Sequence, residues 1–208
     1  MIISSCSLID QKNIAPGYFE AYRTLNELLF ESKENFFTPA MVRDIPYASS
    51  LLKIGRGDPG LIILESLSGD SEFWVSSDGV FLEIRGGKII QTRGLHNNLV
   101  GYRVSSNSKE ENHLNPGISK AYYSYDNPSL VNMEVVVKVN RVRQEKLELF
   151  DQILELVLYE EEISNEYIGW KVTNRYWIDE EKFVWKSIQY ISPKLPKFQI
   201  EVTKKPAK

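Results

Sequence analysis

Cysteine is nearly absent from this 208-residue chain: Cys6 stands alone, so no internal disulfide forms and no thiolate cluster holds a metal. Histidine is almost as scarce. His96 and His113 are the only imidazoles, too few for a multi-histidine centre, and no run of clustered Asp replaces them. No apolar run approaches the roughly 20 residues of a membrane-spanning helix. Charge of one sign is missing as well: Lys+Arg 25 against Asp+Glu 28 gives a net charge of −3, which leaves no cationic field for a phosphate backbone and excludes nucleic acid as an expected partner. There is no GxxxxGK[ST] phosphate loop, and neither histidine has a Ser or Cys nucleophile in a recognisable elbow or triad. Nucleophilic catalysis has no support. We expect no enzyme, no cofactor and no metal.

What is present is an ordinary folded composition, 42% hydrophobic and 25% charged, unusually rich in aromatics with four Trp and eleven Tyr. Such side chains favour pleated, half-buried surfaces. A chain of this length forms one sizeable core. We divide it into residues 1–15, a lipoprotein leader remnant and tether, and residues 16–208, a single β-rich domain.

The segment Ile3-Ser4-Ser5-Cys6 places Cys6 after small residues and an aliphatic one, as at a lipoprotein signal-peptidase site. The rival reading is an ordinary cysteine in a terminal segment. A basic start and an apolar stretch of about 7–15 residues are missing before it, so the expectation is a longer leader upstream. Acyl chains on Cys6, each adding roughly 0.8 kcal/mol per buried methylene, would make attachment effectively permanent.

Residues 16–32 carry Tyr18, Tyr22, Leu25 and Leu29 at helical spacing behind Pro16, which predicts an N-terminal amphipathic helix. After Phe36, Phe37 and Pro39 the period becomes strand-like. Residues 45–54, 61–65, 72–76, 80–85 and 88–92 read as short strands, separated by turn residues such as Ser77-Asp78-Gly79 and the hairpin pair Gly86-Gly87. Residues 97–116 are polar and read as a long loop or crossing. Residues 131–142 alternate, with Val135, Val137 and Val139 on one face. Residues 147–163 fit both a helix and a strand, and we take strands; 169–179, 182–191 and 197–202 close the chain. The expected fold is mostly β, curved antiparallel sheets in a half-barrel or sandwich-like meander, with the N-terminal helix.

Four segments in this order, Ile45-Pro46-Tyr47-Ala48-Ser49, Phe73-Trp74-Val75-Ser76-Ser77-Asp78-Gly79, Thr92-Arg93-Gly94-Leu95-His96-Asn97-Asn98-Leu99 and Asn174-Arg175-Tyr176-Trp177-Ile178-Asp179, make the chain resemble the group 4 capsule and exopolysaccharide-operon lipoproteins, the YjbF/GfcB-like family. The resemblance runs from about residue 6 to 205. It implies a bacterial outer-membrane lipoprotein facing the periplasm, lipid-anchored through Cys6, without enzymatic activity. It also implies partners among exopolysaccharide-secretion proteins, including an outer-membrane β-barrel, and a role in assembly or export of capsule or exopolysaccharide.

Contact residues are harder to choose. Trp74 beside Asp78, and Trp177, offer indole faces for a pyranose ring, against the competing reading of Trp as core. Arg56 and Asp58 sit in a glycine-rich loop, and Asn97 and Asn98 have amides suited to sugar hydroxyls or to a turn. Asp78 and Asp179 would serve a hydrolase only if brought about 5–10 Å apart. The leading expectation is a non-catalytic binder of partner proteins, polysaccharide, or both. Its rivals are a carbohydrate-binding module with an exposed aromatic row, a lipid carrier with an apolar hollow, and less readily a polysaccharide hydrolase.

Overall fold

The computed structural model describes residues 37–105 and 113–207. One short helix, α1 (Pro39–Asp44), precedes twelve strands: β1 (Ser49–Ile54), β2 (Gly60–Ser68), β3 (Ser71–Ser76), β4 (Phe81–Arg85), β5 (Lys88–Arg93), β6 (Leu99–Ser105), β7 (Gly117–Tyr125), β8 (Leu130–Leu149), β9 (Gln152–Asn165), β10 (Trp170–Ile178), β11 (Val184–Gln189) and β12 (Phe198–Lys204). All pair antiparallel in one sheet, ordered β5-β4-β3-β2-β1-β12-β11-β10-β9-β8-β7-β6. The chain thus builds two meanders that meet where β1 pairs β12.

Closure follows from connectivity. Strands β5 and β6 are the two edges of the sheet, yet only residues 94–98 join them. Five residues span at most about 18 Å, so the sheet must curl until its edges meet. The Leu99 amide donates to Thr92 Oγ1 of β5 at 2.9 Å, and the result is a nearly closed barrel, further round than a half-barrel. Gly94 makes the corner. At φ +86 its added Cβ would stand 2.4 Å from the Gly79 carbonyl oxygen, and backbone cannot step aside. Gly94→Ala is expected to cost about 2–4 kcal/mol, a left-handed penalty plus overpacking, read as a lower urea midpoint with an unchanged slope.

Alternation selects what faces inward. Val135, Val137 and Val139 are at most 4% exposed, whereas Glu134, Val136 and Lys138 between them face out. Together with Leu52, Ile62, Trp74, Leu82, Tyr123 and Phe198 they fill the barrel. The unbroken apolar run Leu61-Ile62-Ile63-Leu64 reflects burial on both faces. Ile62 points in, while Leu61 and Ile63 point out under Val42 and Ile45 of the α1 segment. Phe150, at the tip of the long β8–β9 hairpin, packs on that same outer patch. Its amide donates to Glu201 of β12 at 2.9 Å. Leu149, Leu156 and Leu158 of the hairpin cover Trp177, so the barrel carries a second, external apolar layer.

Some elements differ from expectation. Residues 97–116 are not a continuous loop: 99–105 are β6, an edge strand whose one ladder partner, β7, was also not predicted. A bulge at Leu99/Gly101 breaks the period-2 register of that segment. Residues 45–48 lie before β1, and Lys182 sits in a turn at φ 66 rather than in a strand. The α1 helix was missed, although Thr38-Pro39 is a legible start: Thr38 Oγ1 accepts from the Met41 amide at 3.4 Å, with Pro in the first turn. The helix expected over 16–32, and Cys6, lie outside the described residues.

Candidate functional site

In an antiparallel meander successive turns alternate between the two ends. One end gathers the β1–β2, β3–β4, β5–β6 and β9–β10 turns. The other gathers β2–β3, β4–β5 and β10–β11.

Most residues singled out from sequence lie at or near the first end. Arg56 and Asp58 are exposed in the β1–β2 turn. Asp78 is exposed and accepts from the Ser76 hydroxyl. Asn97 is 2% exposed; its Nδ2 donates to the Asn127 carbonyl at 2.7 Å and its Oδ1 accepts from Ser192. Asn98 Nδ2 donates to the Leu95 carbonyl at 3.0 Å and to Asp126 Oδ2 at 2.8 Å. Both amides are therefore spent on holding the β5–β6 connection to its neighbours. Trp74 is 2% exposed inside the barrel, its indole N–H donating to Glu72 at 3.0 Å. Trp177 is 8% exposed under the hairpin, donating to Glu145. Neither indole offers a free face. Asp78 and Asp179 occupy opposite ends, in the β3–β4 and β10–β11 turns.

Below the second end lies a cluster that the sequence reading did not name. Lys88, on edge strand β5, crosses the interior to Glu161 of β9, with Nζ to Oε1 at 2.5 Å and side-chain exposures of 2% and 0%. The second carboxylate oxygen accepts from Asn174 Nδ2 at 2.9 Å and from the Tyr176 hydroxyl at 3.0 Å. Gln189 of β11 continues the network: its Nε2 donates to the Gly87 carbonyl at 2.8 Å, and its Oε1 accepts from the Ile89 amide at 2.9 Å. Side chains of β9, β10 and β11 thereby grip the β4–β5 hairpin from across the barrel, where the sheet edge has no strand partner. Gly87 makes the approach possible, since a Cβ there would stand 2.4 Å from Val184.

Electrostatics follow from this packing. Burial raises the Glu161 carboxyl, but the Lys88 ammonium and the donated hydrogen bonds outweigh it and hold the group below the usual carboxylate range. Burial opposes the Lys88 charge, and Glu161 with Tyr102 more than restores it. Burial and the Glu161 charge push the Tyr176 hydroxyl well above its ordinary value. The pair is ionised and Tyr176 is a fixed donor. One signal for Glu161 was legible: it shares period-2 parity with Tyr159 and Ile163, an acid in an inward register.

His113 caps the network, its ring edge-on to Tyr176 with centroids 5.4 Å apart. Burial first, and then Lys88, lower its pKa from 6.5 to about 3. The imidazole is neutral, and its buried Nε2 has no partner among the described residues. Because the folded value is depressed, the unfolded chain takes up the proton first as pH falls. The stability is complete above about 6.5 and lost progressively towards 3. We expect His113→Phe to flatten the fall in thermal midpoint between pH 7 and pH 4; an unchanged slope would place that titration elsewhere.

Above His113 the barrel end opens into a cleft of about 740 Å³. Leu114, Tyr159 and Ile178, from one apolar cluster, line it, and Glu72, Arg85, Arg141 and Lys182 are on its walls. Among the described residues no group of three or more His, Cys, Asp or Glu is placed to hold a metal ion. The four most exposed apolar residues lie elsewhere, on β7–β9 and the β9–β10 turn: Tyr167 at 100%, Ile118 at 73%, Val131 at 70% and Ile153 at 64%.

Residues 22–203 match the family model described as group 4 capsule polysaccharide lipoprotein gfcB, YjbF. No curated protein matches the chain. Among solved structures, the hypothetical lipoprotein YmcC from Escherichia coli (K12) is similar at a TM-score of 0.72 and 19% identity, over 90% of this chain and 96% of that one. That likeness is one of fold. A putative exported protein with a YmcC-like fold from Bacteroides fragilis aligns at a TM-score of 0.35 and 10% identity, over 76% of this chain and 93% of that one.

Proposed function

The chain belongs to the group 4 capsule polysaccharide lipoprotein family, and from that membership we propose that it is a non-catalytic lipoprotein of the bacterial outer membrane, facing the periplasm, that supports assembly or export of capsule or exopolysaccharide by binding. The family match over 22–203 carries this reading. Among the described residues no helix is long and apolar enough to cross a membrane. The lipoprotein description of the family supports assigning attachment to acylation of Cys6. Partners are assigned to the secretion proteins of the same system, including an outer-membrane β-barrel, and to the polysaccharide itself.

The interior weighs between the rivals. A lipid carrier needs an apolar hollow, whereas this barrel is filled by Trp74, Tyr123, Tyr176, Phe198 and the Lys88–Glu161 pair. A module that stacks sugars on a row of tryptophans needs exposed indoles, and Trp74, Trp170 and Trp177 are at most 9% exposed. The exposed apolar side chains on β7–β9 favour protein partners for that face.

Two measurements test the reading. Deleting the gene in a capsule-producing strain is expected to reduce surface polysaccharide, restored by the wild-type copy; normal polysaccharide in the deletion strain would end the assembly role. Palmitate labelling of the full-length precursor is expected to vanish on Cys6→Ala, and a labelled variant that still sediments with membranes would end the anchoring role.

A further inference from the structure

We propose that the cleft over His113 is a binding site for a short stretch of an uncharged, polyhydroxylated glycan. The inference rests on the polysaccharide-linked reading above and adds to it a place on the molecule and a ligand class.

The volume, about 740 Å³, lies within the roughly 300–1,000 Å³ of small-ligand sites. Its walls mix signs: Asp70, Glu72, Asp179 and Glu180 against Arg85, Arg141 and Lys182. Four carboxylates repel an anionic chain and three cations repel a cationic one. Neutral hydroxyls suit both, donating to carboxylates and accepting from guanidinium and ammonium groups.

Several wall groups are held in place before any ligand arrives. Trp74 Nε1 donates to Glu72 at 3.0 Å, and Trp185 Nε1 donates to Asp179 at 2.8 Å. Arg85 Nη2 donates to Ser71 Oγ at 3.1 Å. Groups already fixed lose little freedom on binding. Arg141 and Lys182 are exposed, with no ion-pair partner among the described residues.

The second, independent observation is His113. It lines the cleft, and its Nε2 is buried without a partner, a state that costs free energy unless a ligand or water completes it. Tyr159, half-buried and backed by the buried Leu114 and Ile178, supplies the apolar surface on which the C–H face of a pyranose rests.

The test is saturation-transfer NMR on the full chain. The probes are maltohexaose, cellohexaose and charge-fractionated oligosaccharides released from the producing cells' own capsule, with trigalacturonate and inorganic phosphate as anionic probes. The expected result is transfer to a neutral probe, weakened at least tenfold by Arg141→Ala with Lys182→Ala, at an unchanged thermal midpoint because both side chains are exposed. His113→Phe gives a second reading through the cleft floor. Transfer to anionic probes alone, to none, or undiminished in the double variant overturns the site. Setting the binding result beside the phenotype of the deletion strain separates the two ideas. No glycan binding by a chain whose deletion still abolishes capsule removes the cleft and spares the assembly role. Glycan binding with normal capsule after deletion does the reverse.

Discussion

Lys88→Met is expected to cost about 3–5 kcal/mol in chemical denaturation, because it leaves Glu161 as an uncompensated charge in the barrel interior. Against a typical total of about 5–15 kcal/mol, that is enough to threaten folding at 37 °C. Glu161→Gln is expected to be milder in geometry, since the amide oxygen still accepts from Asn174 and Tyr176, yet it strands the Lys88 ammonium. The decisive arm is the double variant Lys88→Met with Glu161→Gln. It removes both charges while keeping the one acceptor oxygen that Asn174 and Tyr176 use, and well-packed neutral replacements of buried pairs are often tolerated. We expect it to be more stable than either single variant. If the two single losses simply add, the residues act independently and the cross-barrel tie is not what holds β5.

Trp74→Ala is expected to cost about 3–5 kcal/mol, the range for a large aromatic removed from a core that relaxes only partly. The side chain is 2% exposed and lies among Leu52, Ile62, Leu82 and Phe198. Arg56→Ala, in an exposed turn, is expected to stay within about 0.5 kcal/mol. A stable Trp74→Ala protein would mean that the indole is not core, and would reopen its reading as a sugar platform.

Trp74 also shows where the sequence stopped being informative. Its strand was legible as a short β-rich run, residues 72–76, bounded by turn residues, and the run 131–142 announced its buried face through Val135, Val137 and Val139. Periodicity says that one face is buried; it does not say whether a tryptophan lies on that face. Likewise Asn97 and Asn98 were visible as turn residues, but that their amides are occupied by Asn127, Ser192, Leu95 and Asp126 depends on partners up to 95 positions away. The edge strand β6 went unread because a bulge interrupts its register. The candidate cleft was illegible for the same long-range reason. Asp70, Arg85, His113, Arg141 and Lys182 come from separate turns and strands that only the curled sheet brings to one mouth.

The sequence alone determined a β-rich chain, most of its strands, its family likeness, and the absence of nucleotide or metal motifs, because these are properties of local pattern and composition. Tertiary structure decided the rest: that the sheet curls until β5 meets β6, that Lys88 reaches Glu161 across the interior, and that one end of the barrel is open while Trp74 and Trp177 are covered. Each of those depends on the strand order 5-4-3-2-1-12-11-10-9-8-7-6. Pairing between strands far apart in the chain sets it, and no short window of residues records that pairing.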